Sequence, residues 1–242
     1  MTTPLVVAHR GYQRHYPENT LIALEAALKC GARFLEIDIQ LSADGIPVLL
    51  HDADLRRTAG RRGRIFSMTM DEIRQVEVNE SSRLGNAFSG VPLPTLAEAV
   101  DLIRQWPEAT LFVEIKEESL KHFGMTRVVE AVMKELGPAT GQCIPISFDA
   151  PAMRQARELG ATVIGWAVGS WGKRDRVTAE ALAPQYLFCN YRRLPLAGKP
   201  LWQGPWKWVV YEVADPSHAL SLANRGIEMI ETFAVGEMLN SL

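Results

Sequence analysis

The sequence predicts an α/β fold, a TIM-type (βα)8 barrel with a small insertion after its His-Asp motif. Three observations carry this expectation. Short apolar, β-branched runs alternate with amphipathic stretches of helical period along the whole 242-residue chain. Several of those runs end in charged residues, as barrel strands do where they deliver side chains to the C-terminal mouth. The alternative, an open doubly wound sheet, lacks its signature, because no Gly-rich dinucleotide fingerprint follows the first run.

The elements follow in order. Residues 5–8 form a short apolar run that empties into His9-Arg10-Gly11, a buried strand with a polar end. Pro17-Glu18-Asn19-Thr20 then precedes a helix in which Leu21, Leu24, Ala27 and Leu28 share one face, with Asn19 or Thr20 as N-cap and Gly31 closing it. Residues 34–52, FLEIDIQLSADGIPVLLHD, fold back on themselves at Asp44-Gly45. So short a turn cannot return a strand in parallel, so one of the two strands is antiparallel or peripheral. Folding about the turn sets His51 opposite Asp38, and alternation puts Glu36, Asp38 and Gln40 on one face.

Residues 53–91 lose clear periodicity and gather Arg56, Arg57, Arg61, Arg62 and Arg64. They read as a segment inserted within a single catalytic domain spanning 1–242, the arginines forming a solvated loop. Thr95-Leu96-Ala97-Glu98 is a capping box that opens a helix to about residue 105. Strands follow at 111–116, 143–148, 162–168, 186–189, 208–213 and 227–232, and helices near 125–136, 151–159, 174–182 and 217–224. These make nine strand candidates for eight barrel places, and the hairpin accounts for the extra one.

Composition narrows the function. Apolar residues are 47% and charged residues 22%, ordinary for a globular chain with one sizeable core. A net charge of -2 and a pI near 6.2 give no global attraction to nucleic acid. Cys30, Cys143 and Cys189 are odd in number and far apart, which suggests neither a disulfide framework nor a thiolate zinc site. The start MTTPLVVAHRG lacks a signal-peptide pattern, and no apolar run reaches the roughly 18 residues of a membrane span. The expectation is an unprocessed cytoplasmic protein without stable membrane insertion.

At the predicted mouth, Glu36, Asp38 and Glu114 form an all-oxygen set suited to a hard divalent cation, Mg2+ or Ca2+. Carboxylates inside so apolar a strand are costly to bury without such compensation. Arg10 and Lys116 add positive charge for a phosphate. His9 and His51 can divide general acid and base work across a phosphorus centre. On chemical grounds this is a phosphodiester hydrolase. Ser147 ends another strand at the same mouth, and Trp166 and Trp171 are candidates for an aromatic wall, with packing as their ordinary role, as for Trp202, Trp206 and Trp208.

With these residues placed, the chain resembles the glycerophosphodiester phosphodiesterases. The matching pieces are HRG at 9–11, PENT at 17–20, the block at 31–52, LRRTAGRRG at 55–63, PTLAEA at 94–99, EIK at 114–116 and ISFD at 146–149. The resemblance implies a short cytoplasmic bacterial-type enzyme that hydrolyses a small glycerophosphodiester to glycerol 3-phosphate and an alcohol. It carries metal ligation onto Glu36, Asp38 and Glu114, acid/base roles onto His9 and His51, and phosphate contacts onto Arg10 and Lys116. Glu18 and Asn19, in the PENT motif, would shape the first loop toward the substrate. The C-terminal third departs from the family pattern, with Tyr211-Glu212-Val213-Ala214 in place of a WTVN-like strand and Thr232-Phe233-Ala234-Val235 in place of a TDxP turn. Tyr211 and Glu212 would then face the leaving alcohol, and Glu212 would favour a cationic headgroup. The alternatives are a lysophospholipase D-like phosphodiesterase and a glycerophosphodiester-binding module without turnover.

Overall fold

The computed structural model describes residues 3–139, 141–196 and 198–242; Met1 and Thr2, part of the start read above as unprocessed, lie outside them. Its strands are β1 (Leu5–His9), β2 (Phe34–Leu41), β3 (Pro47–Leu49), β4 (Thr110–Ile115), β5 (Cys143–Ser147), β6 (Gly165–Ala167), β7 (Tyr186–Asn190), β8 (Lys207–Tyr211) and β9 (Met229–Thr232). All but β3 run parallel, and β1 pairs with both β2 and β9, so the sheet closes into the expected barrel. β3 is the extra strand, antiparallel on β2.

Helices form where the sequence caps them. Thr20 accepts from the Ala23 N–H at the start of Leu21–Lys29, whose buried face is Ala23, Leu24, Ala27 and Leu28. Thr95 and Glu98 make the reciprocal capping box of Leu96–Arg104. Asp149 and Asp215 cap Ala150–Glu158 and Pro216–Ala223, each with proline in the first turn. A further helix, Glu117–Phe123, leaves β4 directly, where the sequence marks only Met125–Leu136. Between β7 and β8 a 3-10 turn at Tyr191–Arg193 leads into a tryptophan cluster. Trp171 stacks on Trp208 at 5.0 Å between ring centroids and touches Trp202 at 4.7 Å. It packs the outside of the barrel rather than walling the mouth.

The hairpin register differs from the expectation by one residue. Ile39 faces Leu49, and the Leu50 N–H donates to the Asp38 carbonyl at 3.0 Å, so Leu50 rather than His51 lies across from Asp38. A turn centred between Asp44 and Gly45 would pair Asp38 with His51. The loop instead closes with the Ser42 N–H on the Ile46 carbonyl and centres on Asp44, which slips the pairing.

Alternation along the strands sorts the core into two layers. Val7, Phe112, Ile144, Ile146, Ala167, Phe188, Val209 and Met229 point inward and fill the barrel floor. Residues of the opposite parity, such as Leu35, Ile37, Val113 and Ile230, pack against the helices. Between β3 and the Leu96–Arg104 helix the chain builds a separate small core from Leu50, Leu55, Ile65, Phe66, Ile73, Val76, Val78 and Leu93. Phe112 is fully buried on the floor, its ring 5.1 Å from that of Phe188. Phe112→Ala should cost about 3–5 kcal/mol of unfolding free energy through the cavity it leaves; a urea midpoint equal to wild type would show that the floor collapses around the gap.

Candidate active site

Above the floor the same inward parity carries charge. His9 continues Val7 on β1, Glu36 and Asp38 continue Phe34 on β2, Glu114 continues Phe112 on β4, Tyr211 continues Val209 on β8, and Glu231 continues Met229 on β9. One cavity at this end is lined by His9, Arg10, Glu36, His51, Glu114, Lys116, Tyr211, Glu212 and Glu231, with Ile146, Phe148, Ala167 and Phe188 beneath. Nine residues expected from the sequence therefore converge: His9, His51, Arg10, Lys116, Glu36, Glu114, Tyr211, Glu212 and, just behind the wall, Asp38.

Asp38 is the most heavily compensated group. Arg10 Nε lies 2.8 Å from Asp38 Oδ2, Lys116 Nζ lies 3.2 Å from Oδ1, and Asn19 Nδ2 donates to Oδ2 at 3.0 Å. Burial works against its charge, but Arg10 and Lys116 outweigh it and hold the carboxyl far below the usual carboxylate range. Glu36 and Glu114 shift the other way. Burial, then Asp38 and neighbouring glutamates, raises Glu36. Burial also raises Glu114, although Lys116 sits 2.9 Å from its Oε1.

Ligand atoms of Glu36, Asp38 and Glu114 lie within 4.8 Å of one another. Glu36 Oε1 is buried and has no hydrogen-bond partner. A divalent cation would satisfy that orphaned oxygen and relieve the like-charge crowding, so the donor set fits a hard metal ion.

Glu231 is the residue that sequence reading missed. Its Oε1 lies 3.4 Å from His9 Nε2, and Glu36 approaches the same nitrogen at 3.9 Å. Burial lifts the Glu231 carboxyl to about 8, and burial and Arg10 push His9 well below its ordinary value. Burial thus disfavours the charged form of both partners in this close contact. A carboxylate at inward parity in the apolar MIET strand was the available signal.

Four residues expected near the substrate stand elsewhere. Ser147 has outward parity on β5 and donates to the Ile115 carbonyl at 2.8 Å. Trp166 also points outward, its indole N–H on the Phe148 carbonyl at 3.0 Å. Asn19 is buried against Asp38, and also accepts from the Asp38 N–H at 3.1 Å. Glu18 is 2% exposed and locked between arginines: Arg10 Nη1 at 3.0 Å, and Arg57 in a two-pronged contact at 2.6 and 2.7 Å. Tyr211 and Glu212 do line the cavity.

Burial opposes ionisation of Glu18, but its arginine partners win and its carboxyl titrates below its ordinary 4.5. Its stabilisation is present in full above that unfolded value and is lost as pH falls through the lower folded one. Glu18→Gln should lose about 3 kcal/mol at pH 7, because Arg10 and Arg57 both lose a buried carboxylate partner. Its stability should also decline less steeply than wild type below the unfolded carboxyl value. Matching acid denaturation curves for the two proteins would contradict this account.

The site can be set beside known proteins. A sequence profile of the Glycerophosphoryl diester phosphodiesterase family matches residues 9–178. Glycerophosphodiester phosphodiesterase 1 of Bos taurus is 34% identical over 158 residues, 65% of this chain and 46% of that protein. The match thus spans less than half the length of this mammalian relative. The Glycerophosphodiester phosphodiesterase of Caldanaerobacter subterraneus is 30% identical over 188 residues, 75% of this chain and 76% of that one. Among solved structures, an Oleispira antarctica phosphodiesterase in complex with the product sn-glycerol-3-phosphate superposes with a TM-score of 0.85 at 28% identity, covering 99% of this chain and 96% of that one. A Silicibacter pomeroyi protein described as a putative glycerophosphoryl diester phosphodiesterase shares the fold, with a TM-score of 0.82 at 21% identity, covering 99% of this chain and 93% of that one. With its motifs in order and its polar strand ends gathered in one cavity, the chain belongs to the glycerophosphoryl diester phosphodiesterase family.

Proposed function

We propose that this chain hydrolyses glycerophosphodiesters to glycerol 3-phosphate and an alcohol, in one barrel domain that carries residues 53–91 as an insertion. The observation that carries the reading is the convergence of two histidines, Arg10 and Lys116 on one cavity beside the Glu36, Asp38 and Glu114 cluster. The product held by the Oleispira antarctica neighbour supports the substrate class. A cytoplasmic setting belongs to the same reading; among the described residues no helix is long and apolar enough to cross a membrane.

Glu36, Asp38 and Glu114 would hold a divalent cation, Mg2+ or Ca2+, which when bound supplies Lewis-acid stabilisation of charge on the phosphoryl oxygens. Arg10 and Lys116 bring fixed positive charge to the same wall of the cavity, where an anionic phosphodiester loses water. His51 Nδ1 lies 2.7 Å from Asp52 Oδ1, so the ring donates its Nδ1–H to a carboxylate and turns Nε2 toward the cavity. His9 reaches the same cavity from a different element, β1. The two rings can therefore serve the attacking and leaving oxygens separately, as in-line displacement requires. Tyr211 and Glu212 border the side left for the alcohol. Glu212 is oriented by Asn190 Nδ2 at 2.8 Å.

Enzyme dialysed against chelator should release no glycerol 3-phosphate from glycerophosphocholine, and Mg2+ or Ca2+ should restore release. Wild-type protein that binds the diester without releasing product under either metal would favour the non-catalytic module instead. His9→Ala and His51→Ala should each lower kcat on the order of 10²- to 10⁴-fold with an unchanged circular dichroism spectrum. Near-normal turnover in either variant removes that histidine from the chemistry. Glu212→Gln should reduce turnover of glycerophosphocholine relative to glycerophosphoglycerol, and an unchanged ratio discards the headgroup role.

A further inference from the structure

The arginine-rich stretch at 56–64 reads from sequence as solvated, yet one member turns inward. Arg57 leaves the four-residue helix Arg56–Ala59 and uses all three guanidinium nitrogens on carboxylates. Its Nη1 and Nη2 donate to Glu18 at 2.6 and 2.7 Å, and its Nε donates to Asp52 Oδ2 at 2.7 Å. Asp52 in turn accepts from His51 Nδ1 through its other oxygen at 2.7 Å. Glu18 also receives Arg10 Nη1 at 3.0 Å, and Arg10 reaches Asp38 at 2.8 Å.

We infer that Arg57 is a positioning residue for His51: it clamps the Asp52 carboxylate that orients the imidazole and ties that carboxylate to the buried Glu18 beside Arg10. The inference rests on the proposed hydrolysis for its kinetic consequence, but its structural part stands apart from it. The geometry has three consequences. A planar fork is needed, because one nitrogen must serve Asp52 while two serve Glu18, and a lysine ammonium cannot span both carboxylates in that fixed arrangement. The anchor is rigid, since the Glu18 side chain is fully buried and also takes Gln13 Nε2 at 2.7 Å. The clamp is local, since His51 and Asp52 are adjacent and themselves one-third exposed, so without Arg57 little else fixes the Asp52 carboxylate. The described hydrogen bonds of Asp52 are those to His51 and Arg57. The inserted segment thereby contributes to the site without touching substrate.

Two readouts test this on the full-length, metal-loaded protein. Arg57→Ala and Arg57→Lys should each lower kcat for glycerophosphocholine on the order of 10²-fold, the scale of a small misplacement of a catalytic group, with KM changed less than about threefold. Guanidinium ion at low millimolar concentration should restore part of the Arg57→Ala loss, where equal sodium chloride does not. The second readout is the ¹⁵N NMR signature of the neutral His51 ring. Wild type should hold the Nδ1–H form that faces Asp52, and both Arg57 variants should shift toward the Nε2–H form that free imidazole side chains favour. This readout needs no turnover, so inactive wild type with the expected tautomer pattern would sink the hydrolase and keep the clamp. Arg57→Lys with wild-type kcat, a variant whose KM rises while kcat holds, or an unchanged His51 tautomer in Arg57→Ala would each overturn the clamp.

Discussion

The constraint on which the site depends is the crowding of buried carboxylates at one end of an apolar barrel. Glu36, Asp38, Glu114 and Glu231 all sit at inward parity above a floor of hydrocarbon and aromatic rings. Four full negative charges could not share that volume, since desolvation and mutual repulsion both oppose them. The chain resolves the conflict unequally. Arg10 and Lys116 are spent mainly on Asp38, which stays ionised, while burial raises the other three toward their neutral forms. A site organised this way draws positive charge inward, and the unpartnered Glu36 oxygen marks where that demand is unmet.

Backbone conformation supports the same geometry. The strand ends that carry function turn sharply into left-handed conformations at non-glycine residues: Arg10 at φ 54° just after β1, and Glu212 at φ 67° just after β8. Asn19, at φ 54°, closes the first loop and returns both side-chain atoms to Asp38. Each such residue costs of order 1–3 kcal/mol and persists because its surroundings fix it. Gly11, at φ 80°, is different, because a Cβ there would fall 2.6 Å from the Ala23 carbonyl carbon. The HRG turn must lie flat on the first helix for Arg10 to point into the barrel, and only glycine allows that approach.

Residues 53–91 complete the arrangement from outside. Their small core holds a short helix against the first loop, and through Arg57, Glu18 and Arg10 the two loops that bring His9 and His51 share one ion network. A charged network of this kind does little for net stability, but it gives a shallow rim a defined shape.

Much of this was legible in the sequence. Alternating apolar runs, capping boxes at Thr95 and charged strand ends gave the barrel, and the spacing of Glu36, Asp38 and Glu114 gave the acidic cluster, because strand periodicity and helix capping are local properties. The hairpin at Asp44-Gly45 was also local, but its register was not. Whether the loop centres on Asp44 or on the bond after it depends on the Ser42 and Ile46 pairing and on β2's neighbours. Ser147 and Trp166 were misplaced for a related reason: a one-residue choice of parity sends a side chain to the mouth or to the helices, and an irregular strand start leaves that choice open. Glu231 and Arg57 acquire meaning only from partners more than thirty residues away in the chain, His9 and Glu18. The sequence by itself therefore determined the barrel, its order of elements and the chemistry of its strand ends, which follow from local pattern. Tertiary structure alone decided which way each carboxylate is shifted, which arginine turns inward and what each histidine touches, because those properties come from burial and from distant groups brought close.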